Sequence, residues 1–238
     1  MIPLRDSVPV HRWPVVTWLL IGVNIWAFLN ELLLGPELEA FVRTWGFVPA
    51  RYFALGELHP EDWAGRYLPI LTSMFLHGGW LHLLGNMIFL WIFGDNVEDR
   101  LGHLRYLAFY VATGVGAALV QAHLAPDSTI PTIGASGAIS GVLGAYAVLF
   151  PRARVYTLLP FVFVFFGIVQ VPASVYLGLW FAMQLVNAAV GLAVPVEASG
   201  GVAWWAHIGG FVMGSAVASL LRLGQRERRR WRPEYAPW

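Results

Sequence analysis

The stretch Ile133-Gly134-Ala135-Ser136-Gly137-Ala138-Ile139-Ser140-Gly141 sets a serine among glycines. It lies where a turn-rich segment, Ala125-Pro126-Asp127-Ser128-Thr129-Ile130-Pro131, gives way to an apolar run reaching Phe150. Glycines let another chain approach the backbone closely. A helix start leaves N–H groups without intrahelical acceptors, and such groups can hold an oxyanion. Small neighbours leave the serine hydroxyl uncovered. Taken alone, the stretch reads more economically as a small-residue packing seam between membrane helices. The rest of the chain decides for chemistry.

Hydrophobic residues make up 58% of the 238 and charged residues 12%, with a mean hydropathy of +0.62. Soluble domains carry about 25% charged residues, so this composition predicts a polytopic membrane protein. Every basic side chain other than histidine is arginine, and Arg222, Arg226, Arg228, Arg229, Arg230 and Arg232 crowd one end. The absence of cysteine excludes disulfides and thiolate chemistry.

Residues 1–14 read as a short cytoplasmic lead and 15–34 as a first span of bilayer length. Residues 35–66 mix both charge signs with Phe41, Trp45, Phe47, Tyr52, Phe53 and Trp63, a mixture suited to the membrane interface. A second span is expected over 68–93, a polar turn from Asp95 to Arg105, and a third span to about Leu124. The serine helix covers 136–150. Pro160, Gly167 and Pro172 interrupt 155–194, predicting a membrane-embedded linker followed by one crossing over 172–192. The last span covers 204–223. The expected fold is therefore an all-α bundle of six transmembrane helices over 15–223, with an interfacial first loop and an Arg-rich cytoplasmic tail over 224–238. Arg5, Arg12, Arg152 and Arg154 then share the cytoplasmic side with the tail, while the Asp127 and Glu197 loops face outward.

Helical rise places the polar residues in depth. Ser136 precedes Arg152 by sixteen residues, His207 precedes Arg222 by fifteen, and His82 precedes Asp95 by thirteen. At 1.5 Å per residue all three lie roughly 20–24 Å above the cytoplasmic charges. Three helices thus put a hydroxyl and two imidazoles in one layer of a core about 30 Å thick, which points to a shared wet cavity. Ala206, Gly210, Gly214 and Ala218 recur every four residues, as do Gly137, Gly141 and Ala145. Such ridges allow close helix approach and would bring His207 to Ser136. Gly210 and Gly214 are expected to tolerate nothing larger than Ala or Ser.

A serine hydroxyl needs a base to become nucleophilic. His207 is the candidate base and Ser136 the candidate nucleophile. No acidic residue shares their depth, so a dyad is expected rather than a triad. His82 and Asn86 stand one turn apart on one helix face and, with the Ser136 N–H, could form an oxyanion hole. Each residue alone is more often interhelical glue, and only the coincidence of depth lifts the set. His77 is a candidate support for the interfacial segment. His103 and His123 read as interface residues, and His11 and His59 carry no argument. The sequence holds no H-E-x-x-H, so no metal site and no cofactor are expected. A transporter would show matched internal repeats, which are not evident.

These residues resemble the rhomboid family of intramembrane serine proteases over roughly 68–221. The resemblance rests on GASG at 134–137, on HxxxN at 82–86 within LHGGWLHLLGN, and on AHIGGFVMG at 206–214. It implies a six-helix fold with an outward-open cavity, Ser136 as nucleophile, His207 as base, and His82 with Asn86 at the oxyanion. It further implies hydrolysis of a peptide bond in or near the transmembrane segment of a substrate protein, with lipid as the other partner and no nucleic acid. Some members carry adjacent Trp-Arg in the first loop, where Trp63 and Arg66 are here separated by Ala64-Gly65. Some place a Tyr four residues after the nucleophile to stack on the histidine, where Ser140 stands here, so another group is expected to hold His207.

The competing reading is a catalytically silent, client-binding relative. The expected location is a prokaryotic cell inner (plasma) membrane, with both termini cytoplasmic. A substrate gate is expected in the loop 195–201 and the outer half of the fifth span, around Tyr176 to Trp180.

Overall fold

The computed structural model describes residues 1–160, 166–193 and 202–230. In chain order the elements are β1 (Ile2–Asp6), α1 (Val15–Leu33), α2 (Leu38–Trp45), α3 (Pro49–Leu58), α4 (Trp63–Thr72), α5 (Trp80–Leu101), α6 (His103–Leu124), α7 (Ser136–Leu149), β2 (Arg154–Pro160), β3 (Phe166–Pro172), α8 (Ala173–Ala193) and α9 (Trp204–Arg230). The expected gate loop 195–201 and the end of the Arg-rich tail, 231–238, lie outside the described residues.

The bundle is helical, as its composition demands. Among the described residues α1, α6, α8 and α9 are long and apolar enough to cross a membrane, and α4 with α5 forms a fifth candidate, bent by 80°. α7 has 14 residues, about 21 Å of helix, shorter than a full crossing. The count of six therefore depends on α7, a helix shorter than the other candidate spans and buried along most of its length. The nine consecutive residues from Ala138 to Tyr146 are all buried.

α7 is buried because its side chains are small. A Cβ built on Gly210 of α9 would overlap the carbonyl oxygen of Gly137, and one built on Gly144 would overlap that of Phe211. The two predicted ridges do meet, and backbone packs on backbone between α7 and α9. At the far end, Arg222 donates to the carbonyl of Val148 at 3.0 Å.

The second span differs from its expected limits. The apolar run 68–93 breaks after a short turn at Ser73–Phe75, and α5 begins only at Trp80. His77-Gly78-Gly79 supplies the break, with Gly79 at φ 150°. α5 then continues to Leu101, so Asp95, Glu98, Asp99 and Arg100 occupy its last two turns rather than a loop. Glu98, only 1% exposed, uses this position to cap α1. Its carboxyl accepts from the Val16 N–H (2.9 Å), the Thr17 N–H (2.8 Å) and the Thr17 hydroxyl (2.6 Å). α1 has no cap of its own, since Pro14 precedes it, and the carboxyl supplies the missing acceptors.

The expected membrane-embedded linker is instead a β-hairpin, and the lead contributes a strand to it. β1 pairs antiparallel with β2 from Ile2↔Leu158 to Asp6↔Val155, and β2 pairs with β3 from Arg154↔Pro172 to Pro160↔Phe166. Burial in β2 alternates, with Val155 and Thr157 enclosed and Arg154 exposed. Lipid does not tolerate open sheet edges, so this sheet belongs outside the hydrocarbon. Asp6 fastens it to the bundle by accepting from the Tyr146 hydroxyl of α7 and from Asn96 Nδ2 of α5 at 2.9 Å.

The first loop folds into α2 and α3 and is tied to the segment before Ser136. Phe47 and Thr132 exchange backbone hydrogen bonds of 3.1 and 2.7 Å. Arg66 lies over the Tyr52 ring, 4.6 Å from its centroid.

Candidate active site

Four helices, α5, α7, α8 and α9, and two turns build the site. α7 starts at Ser136, two residues after Gly134, whose φ of +117° favours glycine. Gly134 is pinned by its N–H to the carbonyl of Ser73 at 2.8 Å. This conformation brings the chain into its helix with Ser136 in the first turn, among N–H groups that lack intrahelical acceptors.

The hydroxyl meets an imidazole. Ser136 Oγ lies 2.8 Å from His207 Nε2, within the reach required of a nucleophile and its base. His207 comes from the first turn of α9, and the close contact between α7 and α9 sets its position. Its other ring nitrogen, Nδ1, lies 2.9 Å from Gln184 Oε1 on α8. Trp204 stands edge-on to the same ring at 5.9 Å. The Ser140 hydroxyl is turned back onto its own helix and donates to the Ser136 carbonyl at 2.6 Å.

His82 and Asn86 face the same space from α5. The Gly78 N–H donates to His82 Nδ1 at 3.3 Å, which leaves Nε2 as the donor of a neutral ring. A Cβ on Gly134 would lie 2.7 Å from that Nε2 and 3.5 Å from Asn86 Nδ2. Asn86 Nδ2 is buried without a hydrogen-bond acceptor. A cavity of about 580 Å³ joins these groups, lined among others by His82, Asn86, Phe89, Ser136, Trp180 and His207.

The remaining histidines lie elsewhere. The His77 N–H reaches both carboxyl oxygens of Glu31 at 3.2 Å, bracing the turn before α5 against α1, and its ring meets that of His82 at 5.1 Å. His103 bonds Glu98, His123 the Leu119 carbonyl, His11 Asp99 and His59 Glu61. Among the described residues no group of three or more His, Asp or Glu is placed to hold a metal.

One expectation changes. Tyr176 is only 2% exposed. Its hydroxyl reaches the Met1 carbonyl at 3.3 Å, and Tyr176 lies in the first turn of α8, at the end next to β3 rather than the half leading to the loop 195–201. Gln184 was missed altogether. Its signal was an amide, one of two with Asn187, in an otherwise largely apolar span, the kind of intramembrane polar group that normally has a purpose.

A multi-pass helical membrane protein with a hydrogen-bonded serine–imidazole pair in an internal cavity is the class that fold and site define. The chain belongs to the rhomboid family: residues 64–223, well over half of it, match the Rhomboid domain. It is 30% identical over 203 residues to Rhomboid protein 1, mitochondrial, of Saccharomyces cerevisiae, covering 84% of this chain and 51% of that protein. It is 35% identical over 116 residues to RHOMBOID-like protein 5 of Arabidopsis thaliana (49% of this chain, 34% of that protein). With Rhomboid protease GluP of Bacillus subtilis it shares 33% over 133 residues, 56% of this chain and 24% of that protein. The matches thus span about half or less of each relative's length.

Proposed function

We propose that the chain is an intramembrane serine endopeptidase that cleaves peptide bonds in or near transmembrane segments of substrate proteins. The reading rests on one distance, the 2.8 Å between Ser136 Oγ and His207 Nε2. His207 Nε2 takes the hydroxyl proton as Oγ attacks the scissile carbonyl. The Ser136 N–H, His82 Nε2–H and Asn86 Nδ2 are disposed to receive the developing oxyanion, which gives the unpaired amide of Asn86 a purpose. The imidazolium returns its proton to the leaving amine. A water activated by the same ring then hydrolyses the acyl-enzyme, restoring the serine.

Family membership in a group that includes a named protease of Bacillus subtilis supports this reading; a cell inner (plasma) membrane is the setting proposed with it. The arginines at 152, 154 and 222 mark the end that would face the cytoplasm.

Labelling by a fluorophosphonate probe tests the proposal. Wild-type protein is expected to label and to cleave a transmembrane substrate, and Ser136→Ala to do neither while melting at a similar temperature. Cleavage by Ser136→Ala at the wild-type rate overturns the assignment. A folded wild type that neither labels nor cleaves favours a silent, client-binding protein.

A further inference from the structure

Gln184 is buried at 6% exposure, on a helix whose other faces are largely apolar. Its amide has two partners. Nε2 donates to the Trp180 carbonyl at 3.1 Å, and Oε1 lies 2.9 Å from His207 Nδ1. A backbone carbonyl can only accept, so the NH₂ must point at Trp180 and the amide oxygen at the imidazole. An amide oxygen in turn can only accept, so Nδ1 must carry the ring proton. In a neutral imidazole this leaves Nε2 with the free lone pair, aimed at Ser136 Oγ 2.8 Å away. The donor and acceptor roles run without a break from a helix carbonyl to the serine hydroxyl.

We infer that Gln184 is the positioning residue of the site, holding His207 in the Nδ1–H tautomer that lets Nε2 act as base. The inference rests on the Ser136–His207 reading and adds a third member to it. It also answers a local question, because the Ser140 hydroxyl is turned back onto its own helix. The other tautomer would set an N–H against the Ser136 hydroxyl, leaving no base in reach. An orienting acceptor acts by excluding that state and by stabilising the imidazolium as it forms. A neutral amide does this less strongly than a carboxylate, yet it adds no buried charge to an apolar span.

The test uses the full chain in detergent or liposomes, with a transmembrane substrate and a fluorophosphonate probe. Gln184→Met keeps length and volume but offers no oxygen. It is expected to lower kcat and the labelling rate together by about 10–10²-fold, the worth of a hydrogen bond to a group that becomes charged. KM and melting temperature should stay close to wild type. Gln184→Glu restores an oxygen at the same reach and is expected to recover most of that loss. A Gln184→Met protein with wild-type kcat, or a Gln184→Glu protein no better than Gln184→Met, overturns the role. Should the variants fail to fold, ¹⁵N-histidine spectra of the native chain decide. They must show His207, assigned by its loss in His207→Ala, protonated at Nδ1. Protonation at Nε2 overturns the inference. These outcomes are separate from failure of the dyad itself, which would appear as an unlabelled wild type.

Discussion

Gly214 on α9 and Gly141 on α7 lie so close that a Cβ built on Gly214 would overlap the Gly141 carbonyl oxygen. Alanine, which the ridge pattern alone would allow, therefore does not fit. Backbone cannot rotate away as a side chain can, so the two helices must part. Gly214→Ala is expected to destabilise by about 1–3 kcal/mol and to reduce cleavage, as His207 moves off Ser136. Thermal melts and turnover measured together check this. A Gly214→Ala protein as heat-stable and active as wild type contradicts the packing.

Asn86 Nδ2 is buried and without an acceptor in the resting site. If its partner is the oxyanion, the bond forms only during reaction. Asn86→Ala should then lower kcat by about 10–10³-fold with little change in KM. A change confined to KM would assign Asn86 to substrate binding.

Gly134 holds φ +117° against His82. A side chain there carries backbone strain of about 1–3 kcal/mol and also displaces the His82 ring. Gly134→Ala should cost about tenfold or more in kcat while leaving the Ser136–His207 bond formed, so slow fluorophosphonate labelling should persist. Full activity would show that the turn has room to adjust.

Asp6 gives the sheet a pH dependence. Burial raises its pKa above the ordinary aspartate value, against the lowering by hydrogen bonds from Tyr146 and Val8. The folded chain therefore binds this proton more tightly than the unfolded chain. The cost of ionising Asp6 is absent below about pH 4 and grows as pH rises through the folded-state value. Asp6→Asn cannot ionise. Its melting temperature relative to wild type should rise across that window and level off above it. A constant difference from about pH 3.5 to 7 would show that Asp6 titrates as if unfolded.

Depth counting along three helices placed Ser136, His207 and His82 in one layer, and small residues at four-residue spacing located the seam that joins α7 to α9. Both signals survive because a helix has a fixed rise and a fixed repeat. The β-hairpin was hidden for the opposite reason. Val155-Tyr156-Thr157-Leu158 and Ile168-Val169-Gln170-Val171 are nearly as apolar as a membrane span, so mean hydropathy masked their alternating burial. Glu98 and Gln184 were invisible as partners because each acts across helices, Glu98 on the start of α1 and Gln184 on His207. No spacing along one segment encodes such a contact.

The pairing of β1 with β2 has a consequence for the order in which this molecule is made. Residues 2–6 leave the ribosome about 150 residues ahead of Arg154–Pro160, their hydrogen-bonding partner. At 5–20 residues per second the first strand waits on the order of 10 s for the second. Meanwhile the segments that become α1 to α7 have already been synthesised. The sheet therefore closes behind them, as a late latch joining residues made before α1 to residues made after α7. A nascent chain halted before Arg154 should leave residues 2–6 open to amide exchange, and release of the next twenty residues should protect them.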